Sequence, residues 1–160
     1  MNRTKTKTLA GLAAADVLLV AAACLIPTAS HAFALPLYTL NPMLALLLAG
    51  MLVSGDRRNA LLLAVAMPLV SCLVAGMPEA PKMFCMMAEL SAVVLLFGWL
   101  KGKWSVLPSV LVAILGGKAV YYALKAVILG SFAGTSLWLQ LAVVLLWGGL
   151  FALLYKAVRR

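Results

Sequence analysis

The chain has 160 residues, of which 66% are hydrophobic and only 11% charged. Water-soluble domains are about 45–50% apolar and about 25% charged, so this composition excludes a soluble globular protein, and the length leaves no room for a soluble enzyme beside a membrane part. The net charge of +9 falls in short clusters between apolar runs, neither along one face nor interleaved with aromatics, which argues against a nucleic-acid surface and reads as membrane topology.

Arg3, Lys5 and Lys7 precede the first apolar run. That run predicts a helix over 8–26, stopped by Pro27. The stretch His31-Ala32-Phe33-Ala34 resembles a leader-cleavage site. Asp16 is foreign to the apolar core of a leader, however, and the rest of the chain is itself membranous, so the segment is expected to stay as a first span. A loop over 28–40 follows, with His31 and Tyr38 but no Lys or Arg. The second helix is expected over 42–54. Pro42 suits its first turn, and Asn41 is placed to cap it or to bind a ligand. At about 1.5 Å per residue it is short for a bilayer.

Gly55-Asp56-Arg57-Arg58-Asn59 reads as a tight basic turn. A third helix over 60–75 contains Pro68, a predicted kink. A Gly-Met-Pro loop leads to a fourth helix over 82–100, closed by Lys101-Gly102-Lys103. The fifth spans 107–129, with Gly116-Gly117-Lys118 at its middle. The sixth covers 135–155 and ends in a tail with Lys156, Arg159 and Arg160. Six spans put both termini on one side. Every basic cluster outside the helices then falls on that side, and the opposite loops hold only Lys82. By the positive-inside rule the basic side is cytoplasmic. The expected fold is a single all-α integral membrane domain over 1–160, with six transmembrane helices and both termini in the cytoplasm.

Four ionisable residues lie inside these helices: Asp16, Glu89, Lys118 and Lys125. Counted from the outer ends, Asp16 and Lys118 lie about 15 Å deep, Glu89 about 10 Å and Lys125 about 6 Å. Two acids and two bases at overlapping depths can neutralise each other or a polar ligand. Lys125 is shallow enough to reach the interface. Lys118, Tyr121, Tyr122 and Lys125 share a helical face. An aromatic and cationic face suits a flat, polar, anionic ligand. Glu89, Lys118, Tyr122, Asn41 and the loop residue His31 are therefore the candidate substrate-binding residues. Trp99, Trp104, Trp138 and Tyr155 fall where interfacial aromatic belts are expected.

No catalytic constellation is legible, and no metal or cofactor is implied. Cys24, Cys72 and Cys85 are isolated, and the single His stands in a loop. Gly117-Lys118 resembles the end of a phosphate-binding loop, but Val112 replaces its first Gly and Ala119 its Ser or Thr. Energy for any transport must come from a partner or an ion gradient. Ala10 with Ala14, and Ala60 with Ala64, form small-xxx-small pairs in the cytoplasmic half. Such faces allow close approach of another helix, within the bundle or from a partner.

With these residues in place, the chain resembles the substrate-binding S component of an energy-coupling factor (ECF) transporter. The resemblance covers nearly the whole chain. Its most telling part is the series Pro42-Met43, Leu48-Ala49-Gly50, Pro68-Leu69-Val70-Ser71, Gly76-Met77-Pro78 and Met86-Met87-Ala88-Glu89. A similar series marks a branch of S-component-like proteins without a firmly assigned substrate. That branch commonly carries a His after Pro-Met, where Leu44 stands here, and a Gly-Arg pair where this chain has Gly117-Lys118. A Lys keeps the cation but not the two-pronged grip of an Arg on a carboxylate.

The resemblance implies a prokaryotic cell-membrane protein that captures a vitamin-like micronutrient from outside. It implies as partners a transmembrane coupling subunit and two ATPases, and matches Ala10 and Ala14 to the helix that contacts that subunit. A membrane scaffold whose buried charges only set helix register is the alternative. The two differ in one observable: an outward cavity lined by Glu89 and Lys118, or those two side chains paired and dry.

Overall fold

A computed structural model describes residues 3–33, 40–130 and 137–158. Among them all regular structure is helical: α1 (Arg3–Ala32), α2 (Pro42–Ser54), α3 (Arg57–Ala75), α4 (Ala80–Leu100), α5 (Val106–Leu129) and α6 (Leu137–Val158). Five of the six are long and apolar enough to cross a membrane; α2, with 13 residues, is shorter. Several such helices mark a multi-pass membrane protein. The elements match the expected helices in number and order, and the differences at their ends have physical causes.

The largest difference is in α1, which does not stop at Pro27 but continues to Ala32. Pro27 has no N–H to offer the Ala23 carbonyl, and an orphaned carbonyl is costly in an apolar surround. The hydroxyl of Ser71, fully buried on α3, lies 3.3 Å from that carbonyl and 2.7 Å from the carbonyl of Met77. The one hydroxyl proton is shared between the two carbonyls and favours Met77, so α3 meets the freed Ala23 carbonyl only in part. His31 consequently stands in α1 rather than in a loop, while Tyr38 lies outside the described residues.

The α2–α3 turn is tighter than expected, and α3 begins at Arg57. Gly55 closes α2 in the left-handed region (φ 62°), its N–H reaching the Met51 carbonyl at 3.1 Å. The Asp56 carboxylate then accepts from the Arg58 N–H at 3.1 Å and caps α3. One residue ends a helix and the next starts one, so the hairpin needs no further loop.

The core runs along the middle of the bundle through Leu44, Leu47, Leu63, Met67, Leu90, Val93, Val110, Ile114 and Phe151. Ala60 and Ala64 belong to it, at 1% and 0% exposure. They are spent on packing within the bundle and leave no face for a partner subunit. Ala10 and Ala14 on α1, by contrast, are exposed. Trp99, Trp104 and Trp138 face outward, as a belt requires, but Tyr155 is buried against Phe97 and Phe151 with the Lys101 ammonium over its ring. The three cysteines are free thiols.

Candidate ligand cavity

A cavity of about 460 Å³ opens at the end of the bundle where α1 and α5 finish and α2, α4 and α6 begin. The clusters Arg57 and Arg58, Lys101 and Lys103, and Lys156 all lie at the opposite end. Of the sequence-predicted site residues, Glu89, Lys118, Tyr122 and Asn41 all line this cavity, together with Tyr121 and Lys125. The shared face of α5 is therefore the cavity wall. The side chain of His31 lies outside the described residues.

At the floor, Lys118 Nζ sits 2.7 Å from Glu89 Oε1. The glutamate side chain is 4% exposed and the lysine 19%. Asn41 Nδ2 donates to the same oxygen at 3.2 Å. Asn41 does not cap α2 with its side chain as expected. It takes a left-handed conformation (φ 48°), which asparagine tolerates, and turns its amide toward α4. Three helices thus converge on one carboxylate. The Leu40 carbonyl is held by the Trp147 indole N–H of α6 at 2.6 Å, which fixes the chain as it enters α2.

Glycine makes the ion pair possible. A Cβ placed on Gly117 would lie 2.9 Å from the Glu89 carbonyl oxygen and 2.5 Å from a Val93 methyl. Only a bare Cα lets α5 approach α4 closely enough to set Lys118 beside Glu89.

Above the floor, Tyr121 and Tyr122 stand edge to face, with ring centroids 5.4 Å apart. Lys118 Nζ lies 5.6 Å from the Tyr121 ring centre. Gln140 of α6 donates to the Tyr122 hydroxyl. Met43, Met77 and Met86 supply pliable apolar wall. At the mouth, Lys82 pairs with Glu79 at 3.5 Å, and Lys125 lines the rim.

Sequence reasoning missed Gln140, Ser30 and the 77–79 segment as cavity walls. Gln140 had a signal, an amide in an otherwise apolar helix. Leu44, at the branch's His position, is fully buried in the core and does not line the cavity, whereas Met43 beside it does.

Asp16 does not join the site. Because α1 runs on through Pro27, Asp16 is displaced toward the far end, where Asn59 Nδ2 donates to its carboxylate at 3.0 Å. The two border a separate open groove of about 420 Å³ between α1 and α3.

The cavity can hold a small organic molecule between a charged floor, an aromatic wall and a cationic rim. Comparison with protein-family models, with curated proteins and with solved structures returned no match.

Proposed function

We propose that this protein is the substrate-capture subunit of an ECF-type importer. It crosses the membrane six times with both termini in the cytoplasm, takes a small organic micronutrient from outside, and delivers it with a transmembrane coupling subunit and two ATPases. The observation that carries the reading is an ion pair facing a cavity of small-molecule size. Pockets for such ligands are mostly apolar with a few convergent polar groups, and ionisable residues at membrane depth mark binding sites or pathways. The basic clusters at the opposite end support an outward-facing cavity under the positive-inside rule. The motif series from Pro42 to Glu89 supports the family assignment, and the exposed Ala10 and Ala14 offer a face for the coupling subunit. Nothing in the reading calls for catalysis by this chain.

One observation favours the scaffold alternative: Glu89 and Lys118 are paired. Both residues nevertheless line the cavity, which supports the importer reading. The test is purification of the tagged chain from its own membranes in mild detergent. The importer reading predicts co-purification of a coupling subunit with two ATPases, abolished by Ala10→Trp and Ala14→Trp. A chain that never associates with such subunits contradicts it.

A further inference from the structure

The charged residues of the cavity form a ladder. Glu89 and Lys82 are seven residues apart on α4; Lys118 and Lys125 are seven apart on α5. Two helical turns separate each pair, so each keeps one face and spans about 10 Å. The lower rung is the Glu89–Lys118 pair and the upper rung is Lys82 and Lys125, with the two tyrosines between them.

The rungs differ in sign. On the lower one a carboxylate and an ammonium cancel. On the upper one Lys82 pairs with Glu79 and Lys125 adds a second ammonium, so the three lysines and two glutamates that line the cavity carry a formal charge of one positive unit. The rest of the chain cannot correct this. Its only other acidic side chains, Asp16 and Asp56, are bound to Asn59 and the Arg58 amide at the far end.

The floor is also asymmetric in hydrogen bonding. Lys118 and Asn41 both fall on Glu89 Oε1. With both of these contacts on one oxygen, Oε2 is the acceptor proposed for a ligand.

We infer that the cavity selects an elongated, planar mono-anion that carries N–H donors at one end and an acidic group at the other. The donors go down to Glu89 Oε2, the flat ring lies against Tyr121 and Tyr122, and the acid stays up between Lys82 and Lys125. The distance from donor to acid is about 10 Å, the height of the ladder. This inference rests on the proposed reading that the cavity binds a ligand. It adds the ligand's charge, its length and the direction in which it enters.

The test is competitive retention, read by mass spectrometry, on the full chain purified in mild detergent. Four probes share one skeleton: 4-(4-aminophenyl)butanoate, its methyl ester, 4-phenylbutanoate without the amine, and 4-(4-aminophenyl)butylamine. Any molecule that co-purifies is identified from the same sample.

The expected result is that the amino acid probe is retained about tenfold over each of the others, the worth of one charge-assisted hydrogen bond. Lys82→Gln and Lys125→Gln, at the rim and outside the core, each narrow the gap between acid and ester several-fold and leave the preference for the amine intact. Glu89→Gln removes the amine preference and keeps the acid preference. A co-purified molecule should be an anion with an N–H-bearing ring.

Equal or better retention of the ester or of the butylamine, or a co-purified cation, overturns the inference while the cavity still stands as a binding site. Failure of every probe together with an empty purified protein overturns both this inference and the reading it rests on.

Discussion

The Glu89–Lys118 pair makes a quantitative prediction about stability. Glu89→Gln keeps the shape of the side chain and the acceptor for Asn41, and it leaves the Lys118 ammonium without its counter-charge. Breaking a buried pair on one side costs about 3–5 kcal/mol, whereas replacing both partners by neutral groups of similar volume is often close to neutral. Lys118 is 19% exposed and faces the cavity, so water softens its loss and the lower bound, about 3 kcal/mol, applies. On the scale of water-soluble domains of this size, about 2–4 °C per kcal/mol, that is a fall in Tm of roughly 6–12 °C. Lys118→Met should cost more, because it strands the deeper charge: the Glu89 side chain is only 4% exposed. The double variant Glu89→Gln/Lys118→Met should recover most of the loss, which an additive pair of independent sites would not do. Thermal unfolding in detergent, followed by the fluorescence of the four tryptophans, gives all three numbers. Single variants that shift Tm by less than about 2 °C, or a double variant that simply sums the singles, would refute a buried, mutually dependent pair.

Three further predictions follow from other parts of the bundle. Ser71→Ala removes the hydroxyl donor shared by the Met77 and Ala23 carbonyls and should cost about 1–3 kcal/mol, of which Ser71→Ala/Pro27→Ala restores only the part owed to Ala23; urea or thermal unfolding of both variants decides it. Gly117→Ala forces α5 off the Glu89 carbonyl, so it should weaken retention of any co-purified molecule by tenfold or more while the protein still folds, checked by mass spectrometry beside thermal unfolding. Asp56→Ala deletes the cap of α3 at the end remote from the cavity and should lower stability by about 1 kcal/mol with ligand retention unchanged.

Much of this architecture is legible in the residues, and the misses share a cause. Hydropathy and punctuation give six helices in order, because an apolar run between turn residues has few other uses. The face formed by Lys118, Tyr121, Tyr122 and Lys125 follows from helical spacing alone, and it lines the cavity. What the sequence hides depends on other helices. α1 runs on through Pro27 to Ala32, where Ser71, 44 residues downstream of the proline, meets the freed carbonyl in part, and the depth of Asp16 changes with it. Tyr155 has the composition of a belt residue, yet Phe97 and Phe151 enclose it. Ala60 and Ala64 carry a partner-type spacing that the bundle consumes itself. Asn41 has the position of a cap, yet its side chain accepts no helix N–H and its amide instead donates to the Glu89 carboxylate, 48 residues away. Gly116-Gly117 was visible as a pair, but only the neighbouring helix shows that Gly117 sets the distance between Glu89 and Lys118.

The central claim is that the Glu89–Lys118 cavity holds a small organic molecule. Native mass spectrometry of the protein, purified in mild detergent from cells grown on rich medium, tests it most directly. The account predicts a bound molecule of defined mass on the wild type that is lost from Glu89→Ala and Lys118→Ala, each still folded by thermal unfolding. A protein that emerges empty and binds nothing from a panel of vitamins and nucleobases, while both variants fall apart in detergent, contradicts it and leaves the pair a structural device.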